Sequence, residues 1–168
     1  MCVFDIDDTL IFDKGDDGIP NHALIDLLVL LVAEGVRVIL VTARSRSVDN
    51  EQWTRDQLKK MGIRDYADLQ LAPDKDRKTM AAVSAWKLRM RQAAAQAAGA
   101  PVILSIGDAW SDLVQLRNDD DFDVLDDELA VRAAQDGLAS DKSHWAIVRP
   151  NDGLSCWGIK LKSDPFGS

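Results

Sequence analysis

An α/β fold built on a doubly wound parallel sheet, with no large cap domain, is predicted for this chain by three observations. Short and nearly continuous apolar runs (Met1–Phe4, Val36–Val41 and Pro101–Ile106) alternate with longer helical patterns, as expected of βαβ units around a parallel sheet buried on both faces. Helical patterns are closed by glycines at Gly35, Gly62 and Gly99, the residue that most readily ends a helix. Each apolar run also stops in polar residues, at the strand ends where open α/β sheets bind their ligands.

In chain order, Met1–Phe4 with Ile6 and Leu10 reads as a buried strand, and Phe12–Pro20 as turn chemistry with two glycines and a proline. A helix is predicted from Asn21 or His22 to Glu34. Its Leu24, Ile25, Leu27, Leu28, Leu30 and Leu31 leave it apolar nearly all round, so it is expected to pack on most sides. Val36–Val41 is β-branched and forms the clearest strand, running into Thr42-Ala43-Arg44-Ser45. Asp49-Asn50-Glu51-Gln52 resembles a capping box opening a helix to Met61. Asp68–Ala72 is a weaker strand, and an alanine-rich helical region is expected from Asp76 to Ala98, with a break near Ser84. Pro101–Ile106 is another buried strand. Beyond Asn118 come an acidic stretch (Asp119–Asp123, Asp126–Glu128), expected as a solvated loop or helix start, and two late strands at Trp145–Val148 and Trp157–Leu161.

With 168 residues, 46% of them hydrophobic, the chain can bury a full core. Residues 1–168 are therefore read as one domain, with its polar clusters within 5–113 and 118–168 completing the core. A net charge of −8 disfavours a broad nucleic-acid surface without excluding local basic patches. Cys2 and Cys156 lie near opposite ends and form no metal-site or disulfide pattern. The longest apolar stretch, Ala23–Ala33, is interrupted by Asp26 and falls short of the ~18–20 residues of a membrane span. No membrane association is expected, and a reducing, cytoplasmic location is the default reading. Oligomerisation is left open.

Four polar clusters each follow, or sit just before, a predicted strand: Asp5/Asp7/Thr9, Thr42/Arg44, Lys87 and Asp108/Asp112. Parallel strands put their C-terminal ends on one edge, where these groups are expected to converge. Crowded carboxylates call for a hard cation such as Mg²⁺. A threonine hydroxyl and a lysine ammonium suit a phosphoryl group, and a second Asp two residues beyond the first suits general acid and base work.

Phe4-Asp5-Ile6-Asp7-Asp8-Thr9-Leu10 resembles motif I (DxDxT) of the haloacid dehalogenase (HAD) superfamily of phosphatases. Val41-Thr42-Ala43-Arg44 is similar to its motif II, and Gly107-Asp108 with Ser111-Asp112 to motif IV. The resemblance implies a Rossmann-like core and Mg²⁺-dependent hydrolysis of phosphomonoesters. In it Asp5 is the nucleophile that forms an aspartyl-phosphate and Asp7 the general acid and base. Thr42 and Lys87 hold phosphoryl oxygens. The metal would be held by Asp5, the Asp7 carbonyl and Asp108, with Asp112 supporting it from behind. Lys87, within Trp86-Lys87-Leu88-Arg89-Met90-Arg91, matches a Y/W-K-x-x-x-R pattern of the acid-phosphatase branch; Lys78 is the runner-up and Lys75 third. Gly107-Asp108-Ala109-Trp110-Ser111-Asp112-Leu113 echoes the GDQWSDL form of class B and plant vegetative-storage-protein-like acid phosphatases.

Arg44 is expected to pair with a local carboxylate and is left outside the core site. His22 and His144 are expected to be structural, and Trp110 is a candidate for the substrate entrance. The gaps between motifs have no room for a folded cap, so the site is expected to be open, bounded by an Asp13–Pro20 flap. Its substrate would be a phosphorylated small molecule or an exposed phosphomonoester on a larger one. Leu71–Lys87 is faintly similar to a linker of polynucleotide 3′-phosphatase domains, which makes such an enzyme the alternative. A non-catalytic HAD-derived binding or storage protein is disfavoured because Asp5 is present. A signalling receiver is disfavoured because both acids lie in one motif.

Overall fold

The computed structural model of the protein describes residues 1–12, 18–118, 145–148 and 157–161. In chain order its strands are β1 (Cys2–Phe4), β2 (Ile11–Phe12), β3 (Ile19–Pro20), β4 (Val38–Ser45), β5 (Asp68–Ala72), β6 (Leu104–Gly107), β7 (Trp145–Val148) and β8 (Trp157–Leu161). The helices are α1 (His22–Ala33), α2 (Val48–Lys60) and α3 (Met80–Ala98). The main sheet has the order β5-β4-β1-β6-β8-β7. Its first five members run parallel, and β7 joins antiparallel at the edge.

Side chains alternate across the central strands and fill two layers. Phe4, Leu40 and Ile106 share one face with Leu28 of α1 and Leu58 of α2. Val3, Ile39 and Val41 share the other with Trp86 of α3. Register lines Phe4 up with Leu40 and with Ile106, so Asp5 just beyond β1, Val41 and Thr42 within β4, and Asp108 just beyond β6 come to one edge of the sheet. From β1 the chain winds outward to β4 and β5, then crosses to β6 on the far side of β1. The crevice between β1 and β6 is therefore the topological switch point, where such sheets open a binding cleft.

Local chemistry sets the helix starts. Asn21 Oδ1 accepts from the Leu24 amide at 3.5 Å, Ser47 Oγ from Asn50 at 3.1 Å, and Thr79 Oγ1 from Ala82 at 3.1 Å, each satisfying an amide the helix cannot. Four expectations are corrected here. Ser47, not the Asp49–Gln52 box, caps α2. The predicted Asp76–Ala98 helix starts instead at Met80, because Asp74–Asp76 forms a 3-10 turn after Pro73, and it runs unbroken through Ser84. And α1 is not packed on most sides, since Val29 and Leu30 are 51% and 57% exposed.

The two ends of the expected Phe12–Pro20 turn region pair as the antiparallel strands β2 and β3, Ile11 opposite Pro20 and Phe12 opposite Ile19. Gly18 begins its return with φ +46°, and a Cβ there would lie 2.5 Å from Ile11 Cγ2 and 3.2 Å from Gln57 Nε2. Only glycine allows that approach of the hairpin to α2. Among the described residues, neither the connection from β1 to β4 nor that from β4 to α3 carries a folded cap. No helix among the described residues is long and apolar enough to cross a membrane. The acidic stretch 119–128, His144, Cys156 and part of the expected flap lie outside the described residues.

Candidate active site

Beyond β1 the backbone turns sharply. The amides of Thr9, Leu10 and Ile11 all point at the Ile6 carbonyl, and Asp8 takes φ +57°, a left-handed conformation that Asp tolerates better than most residues. Thr9, fully buried, spans the crevice: its Oγ1 accepts the Asp108 amide at 3.1 Å. Asn21 Nδ2 donates to the Thr9 carbonyl at 2.9 Å. The loops after β1 and β6 are thereby tied together, which brings Asp5 and Asp108 side by side.

Lys87 reaches this point from α3. Its Nζ donates to Asp5 Oδ1 at 2.7 Å and to Asp112 Oδ1, with all three side chains no more than 6% exposed. Asp112 is fixed in turn by the Ala109 amide, which donates to its Oδ2 at 2.9 Å. Arg91 Nη1 donates to its carbonyl at 2.6 Å. One oxygen each of Asp5, Asp108 and Asp112 lies within 4.8 Å of the others. Three carboxylates around one ammonium leave two negative charges in excess, and the donors are hard oxygens. That set fits a divalent cation such as Mg²⁺.

The electrostatics agree. Burial, and then the neighbouring Asp112, Asp108 and Asp7, push the Asp5 carboxyl well above its ordinary value; Lys87 offsets only part of this. Burial alone would lower Lys87, but Asp112 and Asp5 more than compensate and hold its ammonium charged.

Asp112 lies so close to the β6 backbone that a Cβ on Gly107 would sit 2.2 Å from its Oδ2. Gly107→Ala must displace that carboxylate. Expected is a loss of divalent-cation affinity by titration calorimetry of about 10-fold or more with the fold retained by circular dichroism. Unchanged affinity would show that Asp112 is not part of the cation site.

A second group stands on the β4 side. Thr42 Oγ1 donates to Asp7 Oδ2 at 3.2 Å, and Arg44 forks onto the same carboxylate, Nε at 3.1 Å to each oxygen and Nη2 at 2.8 Å to Oδ1. The structure thus brings Asp5, Lys87, Asp108 and Asp112 together and places Asp7 with Thr42 beside them. The Asp7 carboxylate is not one of the clustered metal-type oxygens. Lys78 and Lys75 are exposed, and Lys87 alone of the three is buried against Asp5. Trp110 is not at an entrance; at 3% exposure it packs with Leu113 and Leu116. Arg44 does pair with a local carboxylate, but that carboxylate is Asp7, a contact 37 positions away that sequence spacing could not supply.

Comparison with known proteins bears on the family and the fold. The family model of the HAD superfamily, subfamily IIIB (acid phosphatase), matches residues 11–133. The class C acid phosphatase from Bacillus anthracis is similar in fold, with a TM-score of 0.58 at 18% identity, over 99% of this chain and 67% of that one. The same values hold for that enzyme with tungstate bound. A chain of the Pnkp1/Rnl/Hen1 RNA repair complex is similar with a TM-score of 0.52 at 16% identity, over 96% of this chain and 42% of that one. This chain spans only 39% of the chain matched in a second Pnkp1/Rnl/Hen1 structure. No curated protein sequence matches significantly. At these identities the likeness to the solved structures is one of fold.

Proposed function

The chain belongs to the HAD superfamily, subfamily IIIB, the acid phosphatases, and on that premise we propose that it hydrolyses phosphomonoesters through an aspartyl-phosphate on Asp5. The observation that carries this reading is the buried Lys87 ammonium held between Asp5 and Asp112, with Asp108 beside them at the sheet's switch point. Such a group serves no packing purpose and costs desolvation, whereas it would orient a nucleophilic carboxylate toward a phosphoryl group.

In the proposed reaction an Asp5 oxygen attacks phosphorus and the ester P–O bond breaks. The leaving oxygen takes a proton from Asp7. Water then attacks phosphorus, the Asp7 carboxylate takes its proton, and the acyl-phosphate P–O bond breaks to release inorganic phosphate and restore Asp5. Thr42 Oγ1 and Lys87 Nζ would hold phosphoryl oxygens throughout. A divalent cation on Asp5, Asp108 and the Asp7 carbonyl, with Asp112 supporting, would supply positive charge against the oxygens of the transferring group. The shortness of the connections around the site favours a phosphomonoester that needs no cap to enclose it. Residues 1–168 act as one catalytic domain in this reading, with β7 and β8 extending the sheet beside β6.

The test is hydrolysis of p-nitrophenyl phosphate with Mg²⁺ and with EDTA. Turnover is expected with Mg²⁺ and lost in EDTA. A folded wild type inert with Mg²⁺, on this and on nucleotide, sugar and 3′-phosphorylated DNA esters, would overturn the reading.

A further inference from the structure

Arg44 is a buried cation that the reaction as written does not use. Its side chain is 7% exposed, so its charge must be paired and its donors met. Three side chains of α2 do part of this from behind. Its guanidinium lies 4.6 Å from the centre of the Trp53 ring. Nη1 donates to Thr54 Oγ1 at 3.3 Å, and Nη2 to Gln57 Oε1 at 2.7 Å. Thr54 and Gln57 are themselves fully or almost fully buried. The rest of the fork faces Asp7, with both Nε and Nη2 on its carboxylate.

Asp7 needs that support. It stands on the turn after β1, next to Asp8 at φ +57°, and its carboxylate is gripped by Thr42 and Arg44. Thr42 offers one hydroxyl. A planar guanidinium offers two donors in a fixed plane, which sets both the position and the tilt of a carboxylate.

We propose that Arg44 is a positioning residue acting through Asp7, with α2 fixing Arg44 and Arg44 fixing the carboxylate that exchanges the proton. The role rests on the phosphatase reading above. The competing role is direct: Arg44 could ligate the phosphoryl group, with the Asp7 carboxylate standing in for its oxygens here. The two differ in what the leaving group feels. An alkyl leaving oxygen needs the proton from Asp7, and p-nitrophenolate hardly does. A phosphoryl ligand, or a residue that only supports the fold, serves both esters alike.

The experiment compares kcat/KM for glycerol 2-phosphate and p-nitrophenyl phosphate in wild type, Arg44→Met, Arg44→Lys and Gln57→Met, together with inhibition by inorganic phosphate. In Arg44→Met the loss on the alkyl ester is expected to exceed that on the nitrophenyl ester by roughly 10-fold or more. The phosphate inhibition constant should stay within about twofold. Arg44→Lys keeps a charge without a fork and should recover only part of the alkyl activity. Gln57→Met keeps the Arg44–Asp7 pair and should show a smaller loss of the same bias, which decides the matter if Arg44→Met does not fold. Equal losses on both esters, or a phosphate inhibition constant rising in step with the loss, would overturn the role of Arg44 alone. A wild type inert on both esters would overturn the phosphatase reading and this role with it.

Discussion

In EDTA at neutral pH, Lys87→Met is expected to melt about 10 °C below wild type, the equivalent of roughly 3–5 kcal/mol. The reason lies in the arrangement of charge. Asp5 and Asp112 are almost fully buried and share the Lys87 ammonium, while Asp108 adds a third carboxylate within 4.8 Å. Methionine fills much of the lysine volume but leaves three crowded carboxyl groups without a cation. Mg²⁺ should then stabilise Lys87→Met more than it stabilises wild type, because the excess negative charge is larger. Acidification toward pH 4 should close the gap as the carboxyl groups take up protons. Lys78→Met, on an exposed side chain, is the control and should melt like wild type. Equal melting of Lys87→Met and wild type in EDTA would show that Lys87 does not neutralise this group.

The sheet was legible because its strands are short, β-branched and buried on both faces, so Val3, Ile39 and Ile106 announce themselves without alternation. The positions of Asp5 and Asp108 followed from strand ends alone, whereas Thr42 lies inside β4, which runs past the expected end at Val41 to Ser45. Other features lay beyond local pattern. The β2–β3 hairpin has two residues per strand, too few for any period. The choice of Ser47 over Asp49 as cap depends on backbone geometry that neighbouring candidates share on paper. The apolar ring of α1 could not reveal which side would meet the sheet, and Val29 and Leu30 ended outside. Lys87 could be named from its surroundings, but its grip on Asp5 spans 82 positions and only the folded sheet makes it. Arg44 was the most misleading residue. Its pairing with a carboxylate is ordinary, yet that partner is the proposed proton donor, and nothing in the sequence signalled that Trp53, Thr54 and Gln57 of α2 would stand behind it.

Asp5→Asn is expected to lose turnover of p-nitrophenyl phosphate by about 10³-fold or more and, in EDTA, to be more stable than wild type. The two effects share one cause. A nucleophile must be an ionised carboxylate, and this site keeps one where burial and its acidic neighbours oppose ionisation. Because the folded-state pKa of Asp5 is raised above its ordinary 3.8, the folded protein holds this proton more tightly than the unfolded chain. Stability therefore falls as pH rises from near 4 until Asp5 is ionised in the fold as well. Asparagine removes that contribution, so the advantage of Asp5→Asn in Tm should be negligible below pH 4 and grow toward neutrality. Mg²⁺ should reverse the order, since the wild type binds the cation with its full set of carboxylates and the variant has lost one. Thermal melts across pH, with EDTA and with Mg²⁺, check both halves. A variant that is inactive but less stable than wild type in EDTA at neutral pH would mean that the Lys87 ion pair, and not the crowding of carboxylates, dominates the energy of Asp5. Lys87→Met would then be the more damaging change for that reason.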